Sequence, residues 1–423
     1  MQLQVKTILN RIQHFPGFVY ENIRLLSSRG KLSIEVTLVA HQAMAAKCSV
    51  CHEAAPGYDH LPARRWRFVP LWGIVTWFCY TPRRVECPKH GVVVELIPWI
   101  EGNRPVTRTM MCFLSRWARH LSWRQTARSF HTSWECVYRS VDWYVEWGLG
   151  HRVLAGIKAI GVDEIFWGRG RKSEAFLTVI YQIDGHCRRL LWVGRKRTQA
   201  TLHRGLDVLG SEVVGGLQYV CSDMWKPYLK VLAQRVGQAL HILDRFHITM
   251  HLNQAVDQVR RAESTRLKGK PLAERLKKMR WKLLRKGSHV RGLAKVKLEG
   301  LLASRLATGR AWDLKEVFQN FWKYRSPIWT GGFLDYWTQR AMRSRLEPMK
   351  KVARMLRTHE SLILNWFKAR GDICTGATEG LNNKIRVVTR RAYGFRTYKA
   401  MEIALYHNLG KLPEPNEFTH NFC

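Results

Sequence analysis

Three acidic residues in a very basic chain carry the first chemical signal. They are Asp163 in Gly161-Val-Asp-Glu-Ile-Phe-Trp, Asp223 in Tyr219-Val-Cys-Ser-Asp, and Glu379 in Gly376-Ala-Thr-Glu-Gly-Leu-Asn-Asn. The 423 residues hold 70 Lys+Arg against 32 Asp+Glu, a formal net charge of +38. A polyanion-binding surface gains nothing electrostatically from carboxylates. Carboxylates there point to a hard cation with oxygen ligands, such as Mg²⁺ or Mn²⁺. A basic surface with a few such groups is the sequence signature of metal-dependent phosphoryl transfer on nucleic acid.

The elements around these residues suit that chemistry. Residues 159–167, 175–183 and 187–193 are β-rich runs, and Asp184-Gly185 between the last two is a hairpin signal, which makes Asp184 a turn residue rather than a ligand. Residues 217–222 form a further strand ending at Asp223, 225–236 read as a helix, and 239–243 as a strand ending at Asp244. Three antiparallel strands followed by strand–helix–strand make a mixed sheet. Glu379 opens a helix whose apolar side is Leu381, Ile385 and Val388. On another side Glu379, Asn383, Arg386 and Arg390 recur at helical spacing, so the two arginines are candidates to hold phosphates beside the carboxylate. From spacing alone, Glu164 competes with Asp163.

A second constellation is Cys48-Ser-Val-Cys51 with Cys87-Pro-Lys-His90. Thiolates and imidazoles two residues apart in a tight turn can share one tetrahedral Zn²⁺, and four protein ligands make such a site structural. His52 and Cys79 are alternative ligands. Residues 48–102 otherwise read as short strands and turns, and residues before 47 are weakly patterned. Ser122-Trp-Arg-Gln125 fits a capping box that opens a helix over 123–130. His131-Thr-Ser133 is a turn, and a second helix covers 134–145. This is a helix-turn-helix spacing, with Trp134, Glu135, Tyr138 and Arg139 as candidate DNA contacts. An ordinary helical hairpin has the same spacing.

Between 250 and 370 the strand signal stops. Leu276, Met279, Leu283 and Leu284 share one helical face, and Lys277, Lys278, Arg280, Lys282, Arg285 and Lys286 fill the rest as a candidate phosphate-gripping stripe. The six tryptophans 281, 312, 322, 329, 337 and 366 read mostly as core. The pI near 10.4 makes nucleic acid the expected main partner. The N-terminus lacks a signal-peptide core, and the longest apolar stretch, 69–80, is too short to cross a bilayer, so the expectation is a cytoplasmic protein with reduced cysteines and no membrane partner.

Taken together, these motifs resemble the DDE transposases of bacterial insertion sequences, specifically the ISL3 family. The likeness runs over about residues 45–410. Its landmarks are Cys48-x-x-Cys51, Arg83-Arg-Val-Glu-Cys-Pro-Lys-His-Gly, the helix pair, Gly161-Val-Asp-Glu, Val220-Cys-Ser-Asp-Met-Trp-Lys-Pro-Tyr, Asp244-Arg-Phe-His-Ile and Glu379-Gly-Leu-Asn-Asn-Lys-Ile-Arg. His90 stands where many relatives have Cys. The resemblance implies that Asp163, Asp223 and Glu379 form the catalytic triad. It implies an α/β multidomain chain: an N-terminal region with zinc ribbon over 1–102, a helix-turn-helix domain over 103–157, an RNase H-like core over 158–255, and an all-α basic insertion over 256–370. The final catalytic helix would lie in 371–410, followed by a tail over 411–423. It also implies binding to inverted-repeat ends and target DNA, two-metal hydrolysis and strand transfer, a dimer or higher assembly, and a nucleoid location. Asp244 and His247 match a D-x-x-H signature of related enzymes as possible accessory residues; a strand-ending Asp that caps a helix reads equally well. A non-catalytic DNA-binding regulator and a simple nuclease are the rival functions.

Overall fold

The computed structural model describes residues 4–168, 172–304, 306–369, 373 and 376–415. The chain divides into two compact units, Met1–Arg152 with Val387–Cys423, and Val153–Arg386. The division at Arg386 and Val387 falls within the helix Gly376–Arg391.

The first unit opens with α1 (Val5–Ile12), then β1 (Phe18–Ser28) and β2 (Lys31–Ala40), a hairpin closed by Arg29 and Gly30. Both turn residues have positive φ (48° and 73°), the geometry a two-residue primed turn needs. The strands β3 (Gly57–His60), β4 (Arg64–Leu71), β5 (Ile74–Tyr80), β6 (Arg83–Cys87) and β7 (Gly91–Val94) follow. They form two sheets, β1-β2-β5-β4 and β3-β6-β7. The larger sheet buries an aromatic core of Phe15, Phe18, Tyr20, Trp66, Phe78, Tyr80 and Trp99. The apolar stretch 69–80 is therefore the β4–β5 hairpin, and no helix among the described residues is long and apolar enough to cross a membrane.

The region before residue 47, weakly patterned in sequence, holds one helix and two long strands. The reason is physical: β1 carries a bulge between Tyr20 and Asn22, and its far half is exposed, including Leu25 and Leu26. Both features erase the alternation that marks a half-buried strand.

Helices α2 (Arg108–His120), α3 (Trp123–Ser129) and α4 (Trp134–His151) come next. The capping box at Ser122 and Gln125 is present, and Ser133 accepts from the Cys136 N–H to start α4. Between them His131 turns the chain at φ 48°. The turn is clamped by Arg67 of β4, whose guanidinium donates to the carbonyls of Phe130 and His131 at 2.8 and 2.9 Å.

The second unit is built on a five-stranded sheet ordered β10-β9-β8-β11-β12, with β8 (Ala159–Phe166), β9 (Phe176–Ile183), β10 (Arg188–Arg195), β11 (Tyr219–Ser222) and β12 (Leu240–Leu243). The first three strands pair antiparallel, and β11 runs parallel to both β8 and β12. Asp184 sits in the β9–β10 turn, where its carboxylate accepts from the Lys158 N–H and from Gln182. Helices α5 (Gln199–Leu209), α6 (Ser211–Gly215) and α7 (Lys226–Arg235) cover one face through Leu202, Leu206, Val231 and Leu232, packed on Ile160, Val162, Ile180 and Val220.

From Asp244 to Lys368 the described chain is helical: α8 (Arg245–Arg266), α9 (Pro271–Lys278), α10 (Arg280–Leu284), α11 (Leu293–Leu302), α12 (Ala307–Phe318), α13 (Pro327–Arg343), α14 (Glu347–Thr358) and α15 (Glu360–Lys368). One apolar core joins them, with Leu252, Leu283, Phe318, Phe321, Trp337 and Phe367 buried. Buried charges here satisfy helix ends. Glu263 accepts from the Ala307 and Thr308 N–H groups at the start of α12, and Lys315 donates to the Leu283 and Arg285 carbonyls at the end of α10. Trp337 is fully buried, and Trp312, Trp322 and Trp366 pack against the core, whereas Trp281 and Trp329 are exposed. Helices α16 (Gly376–Arg391) and α17 (Tyr398–Leu409) complete the chain. The boundary expected at 371 and most of the 411–423 tail lie outside the described residues.

Candidate active site and metal centre

Parallel register brings the acids together. Ser222 pairs with Val162 across β11 and β8, so Asp163 and Asp223 are the next residues on neighbouring strands, roughly 4.8 Å apart in backbone spacing. Leu243 pairs with Ser222, and the Asp244 N–H donates to the Ser222 carbonyl, so Asp244 is the neighbour on the third strand. Asp223 and Asp244 thus follow the C-terminal ends of β11 and β12, the end of an open α/β sheet where ligands bind, and Asp163 lies inside the adjacent β8.

Alternation along β8 separates Asp163 from Glu164. Ile160 and Val162 face α5 and α7, so Gly161 and Asp163 face the other side. That side receives α16. A side chain at Gly161 would lie 2.7 Å from the Thr378 hydroxyl, and Asn382 donates to Asp163 at 2.6 Å while accepting from the Tyr181 hydroxyl at 2.6 Å. Glu379, half-buried, follows Thr378 and precedes Asn382 by one turn. The helix that carries the third acid is therefore docked on the strand that carries the first. Leu381, Ile385 and Val388 are its buried side, as the sequence indicated; Asn383, Arg386 and Arg390 are exposed, and Arg386 donates to Asn383.

Glu164 takes a different partner. Its carboxylate meets Arg197 at 2.9 Å, and Arg197 also reaches Asp223 at 3.2 Å. Asp223 is held on its second oxygen by the Trp225 N–H at 3.0 Å. Asp244 caps α8 through the Phe246 N–H and bonds His247 Nδ1 at 3.1 Å. The helix-capping reading of Asp244 is thus correct, and the D-x-x-H pair is also a hydrogen-bonded pair beside the acids.

The electrostatics follow from this crowding. Burial pushes Asp163 up to about 6, with Asp223 adding to the shift against the opposing effects of His247 and Asn382. Burial and the charges of Asp223 and Asp163 raise Glu164 to about 7. For His247, burial disfavours the charge, but the Asp244 hydrogen bond and the nearby Asp163 and Asp223 outweigh it and raise the imidazole to about 9. Asp163 and Asp223 offer the oxygen donors that Mg²⁺ takes, but their ligand atoms are not drawn into one cluster: among the described residues the one group of three or more within 4.8 Å of one another is the Cys/His set.

The four sulfur and nitrogen ligands predicted for zinc also converge. Cys48, Cys51, Cys87 and His90 place their ligand atoms within 4.8 Å of one another. Cys51 and Cys87 sulfurs are 3.7 Å apart, and His90 Nδ1 lies 3.7 Å from Cys48 and 3.5 Å from Cys87. A tetrahedron with ordinary zinc bond lengths has edges of roughly 3.8 Å between sulfurs and roughly 3.6 Å between sulfur and nitrogen. Backbone N–H groups of Cys51 and Val50 lower the Cys48 thiol to about 6, favouring the thiolate a metal needs. His52 and Cys79 stand outside the group; Cys79 is pushed up to about 12, first by burial and then by Glu35.

The remaining candidates are surface groups. Trp134 and Arg139 on α4 are exposed, Arg139 pairs with Glu135, and Tyr138 packs between Trp123 and Trp134. Lys277, Lys278, Arg280, Arg285 and Lys286 are exposed and Lys282 half-buried. The single helix expected there is interrupted at Met279, which is buried with Leu276 and Leu283. Asn382, Tyr181 and Arg197 were not singled out from sequence. Asn382 lay within a quoted motif, but helical spacing favoured Asn383.

A family model described as a transposase, of the DDE group typified by ISL3, matches residues 160–405. The chain is 24% identical to a transposase for insertion sequence element IS1001 from Bordetella parapertussis, over 83% of this chain and 84% of that one. It is 26% identical to a transposase for insertion sequence element IS1557 from Mycobacterium tuberculosis, over 85% of this chain and 84% of that one. The protein belongs to the ISL3 family of insertion-sequence transposases.

Proposed function

We propose that this transposase binds the inverted-repeat ends of its element, cuts a phosphodiester there and joins the freed 3′-hydroxyl to target DNA, using Asp163, Asp223 and Glu379 as its catalytic triad. The observation that carries the reading is the strand register that sets Asp163 beside Asp223, with the Glu379 helix bonded to Asp163 through Asn382. The sheet order, three antiparallel strands then two parallel ones, supports an RNase H-like core, and the eight α-helices described between β12 and α16, with no strand among the described residues there, support an all-α insertion.

In this reading the three carboxylates hold Mg²⁺ or Mn²⁺, which when bound polarises the scissile phosphate and stabilises the attacking and leaving oxygens. Asn382 fixes the Asp163 carboxylate, and the Trp225 N–H fixes Asp223. Arg386 and Arg390 hold adjacent phosphates. The Cys48, Cys51, Cys87 and His90 group holds structural Zn²⁺ in a ribbon. Helices α3 and α4 act as a helix-turn-helix, with Trp134, Tyr138 and Arg139 reading the ends. The stripe Lys277, Lys278, Arg280, Lys282, Arg285 and Lys286 grips the backbone. Two ends must be held together for joining, so the working form is a dimer or larger, in the cytoplasm and on the nucleoid.

The test supplies a pre-cut transposon end, target plasmid and Mg²⁺. Wild type gives joined product, and Asp223→Asn gives none while shifting end DNA as wild type does. Binding without joining by the wild type would leave a DNA-binding regulator as the function; cleavage without joining would leave a nuclease.

A further inference from the structure

We propose that Arg197 is a built-in cation that holds Asp223 until a divalent metal displaces it. This rests on the metal-site reading above. Arg197 lies between β10 and Thr198, the N-cap of α5. One of its terminal nitrogens lies 2.9 Å from a Glu164 oxygen and 3.2 Å from an Asp223 oxygen. The guanidinium carbon stands 4.1 Å from the centre of the Trp225 ring and 5.8 Å from that of Phe176. Arginine stays charged at every working pH, and an aromatic face stabilises that charge.

The parts have distinct tasks. Glu164 points to the side of β8 opposite Asp163, which makes it an anchor for Arg197 rather than a fourth member of the acidic set. Trp225 sets both partners: its ring seats the guanidinium, and its N–H holds the other Asp223 oxygen. Each Asp223 oxygen thus accepts one hydrogen bond, and the one bonded to Arg197 is the one whose partner carries a full charge. A guanidinium on that oxygen occupies a lone pair and repels a dication a few ångströms away. Arg197 thus keeps the metal-free carboxylates in place and lowers their affinity for metal. The Arg197 Nε is buried with no hydrogen-bond partner, so the head group retains unused donor capacity once Asp223 lets go. Arg197 is a positioning residue for the site.

The experiment measures Mn²⁺ binding to the full chain without DNA, by the electron paramagnetic resonance signal of free Mn²⁺, alongside thermal unfolding of the zinc-loaded protein in chelator-free buffer without added Mg²⁺ or Mn²⁺. Arg197→Gln is expected to bind Mn²⁺ about ten-fold tighter than wild type or more, since a full like charge is removed at close range. Its melting temperature without added Mn²⁺ is expected to fall, and to rise more than that of wild type on adding Mn²⁺. Arg197→Met serves as a second neutral variant if the Gln variant does not fold. Arg197→Lys keeps the charge and should stay near wild-type affinity. Asp223→Asn should lose the site. Unchanged or weaker Mn²⁺ binding in the neutral variants, with Asp223→Asn defective, overturns the role of Arg197 alone. A Lys variant as tight as the Gln variant does the same. Wild-type Mn²⁺ binding by Asp223→Asn overturns the metal-site reading itself.

Discussion

Substituting Gly161 with alanine tests whether α16 must lie flush on β8. The added methyl would sit 2.7 Å from the Thr378 hydroxyl and 3.3 Å from an Ile183 methyl, and restoring ordinary contact at about 3.4 Å needs a shift of about 0.7 Å at Thr378. Thr378 is 3% exposed and Gly161 lies within the strand, so neither side gives way cheaply. Overpacking of this kind costs about 1–3 kcal/mol. The functional cost should be larger, because the same helix carries Glu379 and the Asn382 that holds Asp163 at 2.6 Å. A displacement of that size at a reacting centre lowers rate by roughly ten-fold to a hundred-fold. Gly161→Ala is therefore expected to unfold at modestly lower temperature while losing most strand joining. Thr378→Ala removes the clashing hydroxyl, whose oxygen is buried without a partner, at little cost. The double variant should recover both stability and joining, a coupling read from a double-mutant cycle. Joining unchanged in Gly161→Ala, or no recovery in the double variant, refutes the docking argument.

Three further outcomes follow from the geometry. Asn382→Ala leaves the buried Tyr181 hydroxyl without its acceptor and should cost about 1–3 kcal/mol; adding Tyr181→Phe should restore stability but not joining, and restored joining would show that Asn382 does not position Asp163. Purified protein should contain stoichiometric zinc by elemental analysis. Cys87→Ser should lower it and expose the β3-β6-β7 sheet to hydrogen exchange, whereas undiminished zinc would remove the site. Asp163 and Glu164 titrate near about 6 and about 7 when folded, against roughly 4 when unfolded, so the metal-free native state holds protons the unfolded chain has lost. Their contribution to stability therefore falls as pH rises from about 4 to about 7, and Mg²⁺ should raise the melting temperature more at pH 7.5 than at pH 5.5; equal shifts would contradict metal binding at Asp163.

What was legible in the sequence and what was not divide along one physical line. Features set by local spacing were readable: the capping box at Ser122, the hairpin at Asp184, the strands leading to Asp163, Asp223 and Asp244, the helical stretch after 250, and the buried Leu381, Ile385 and Val388. The meeting of Cys48, Cys51, Cys87 and His90 was readable because each pair is a tight turn. Features set by tertiary register were not. Nothing local distinguishes Asn382 from Asn383; only the docking angle of α16 decides which amide meets Asp163. Nor does any motif mark Arg197 among its basic neighbours Arg195 and Lys196. Its role comes from the parallel pairing of β8 with β11, which draws Glu164 and Asp223 toward one guanidinium. The same strand gives Asp163 and Glu164 different partners. Strand alternation sends Asp163 toward the helix of Glu379 and Glu164 toward Arg197, so two adjacent acids, equivalent by spacing, acquire different electrostatic partners from the sheet itself.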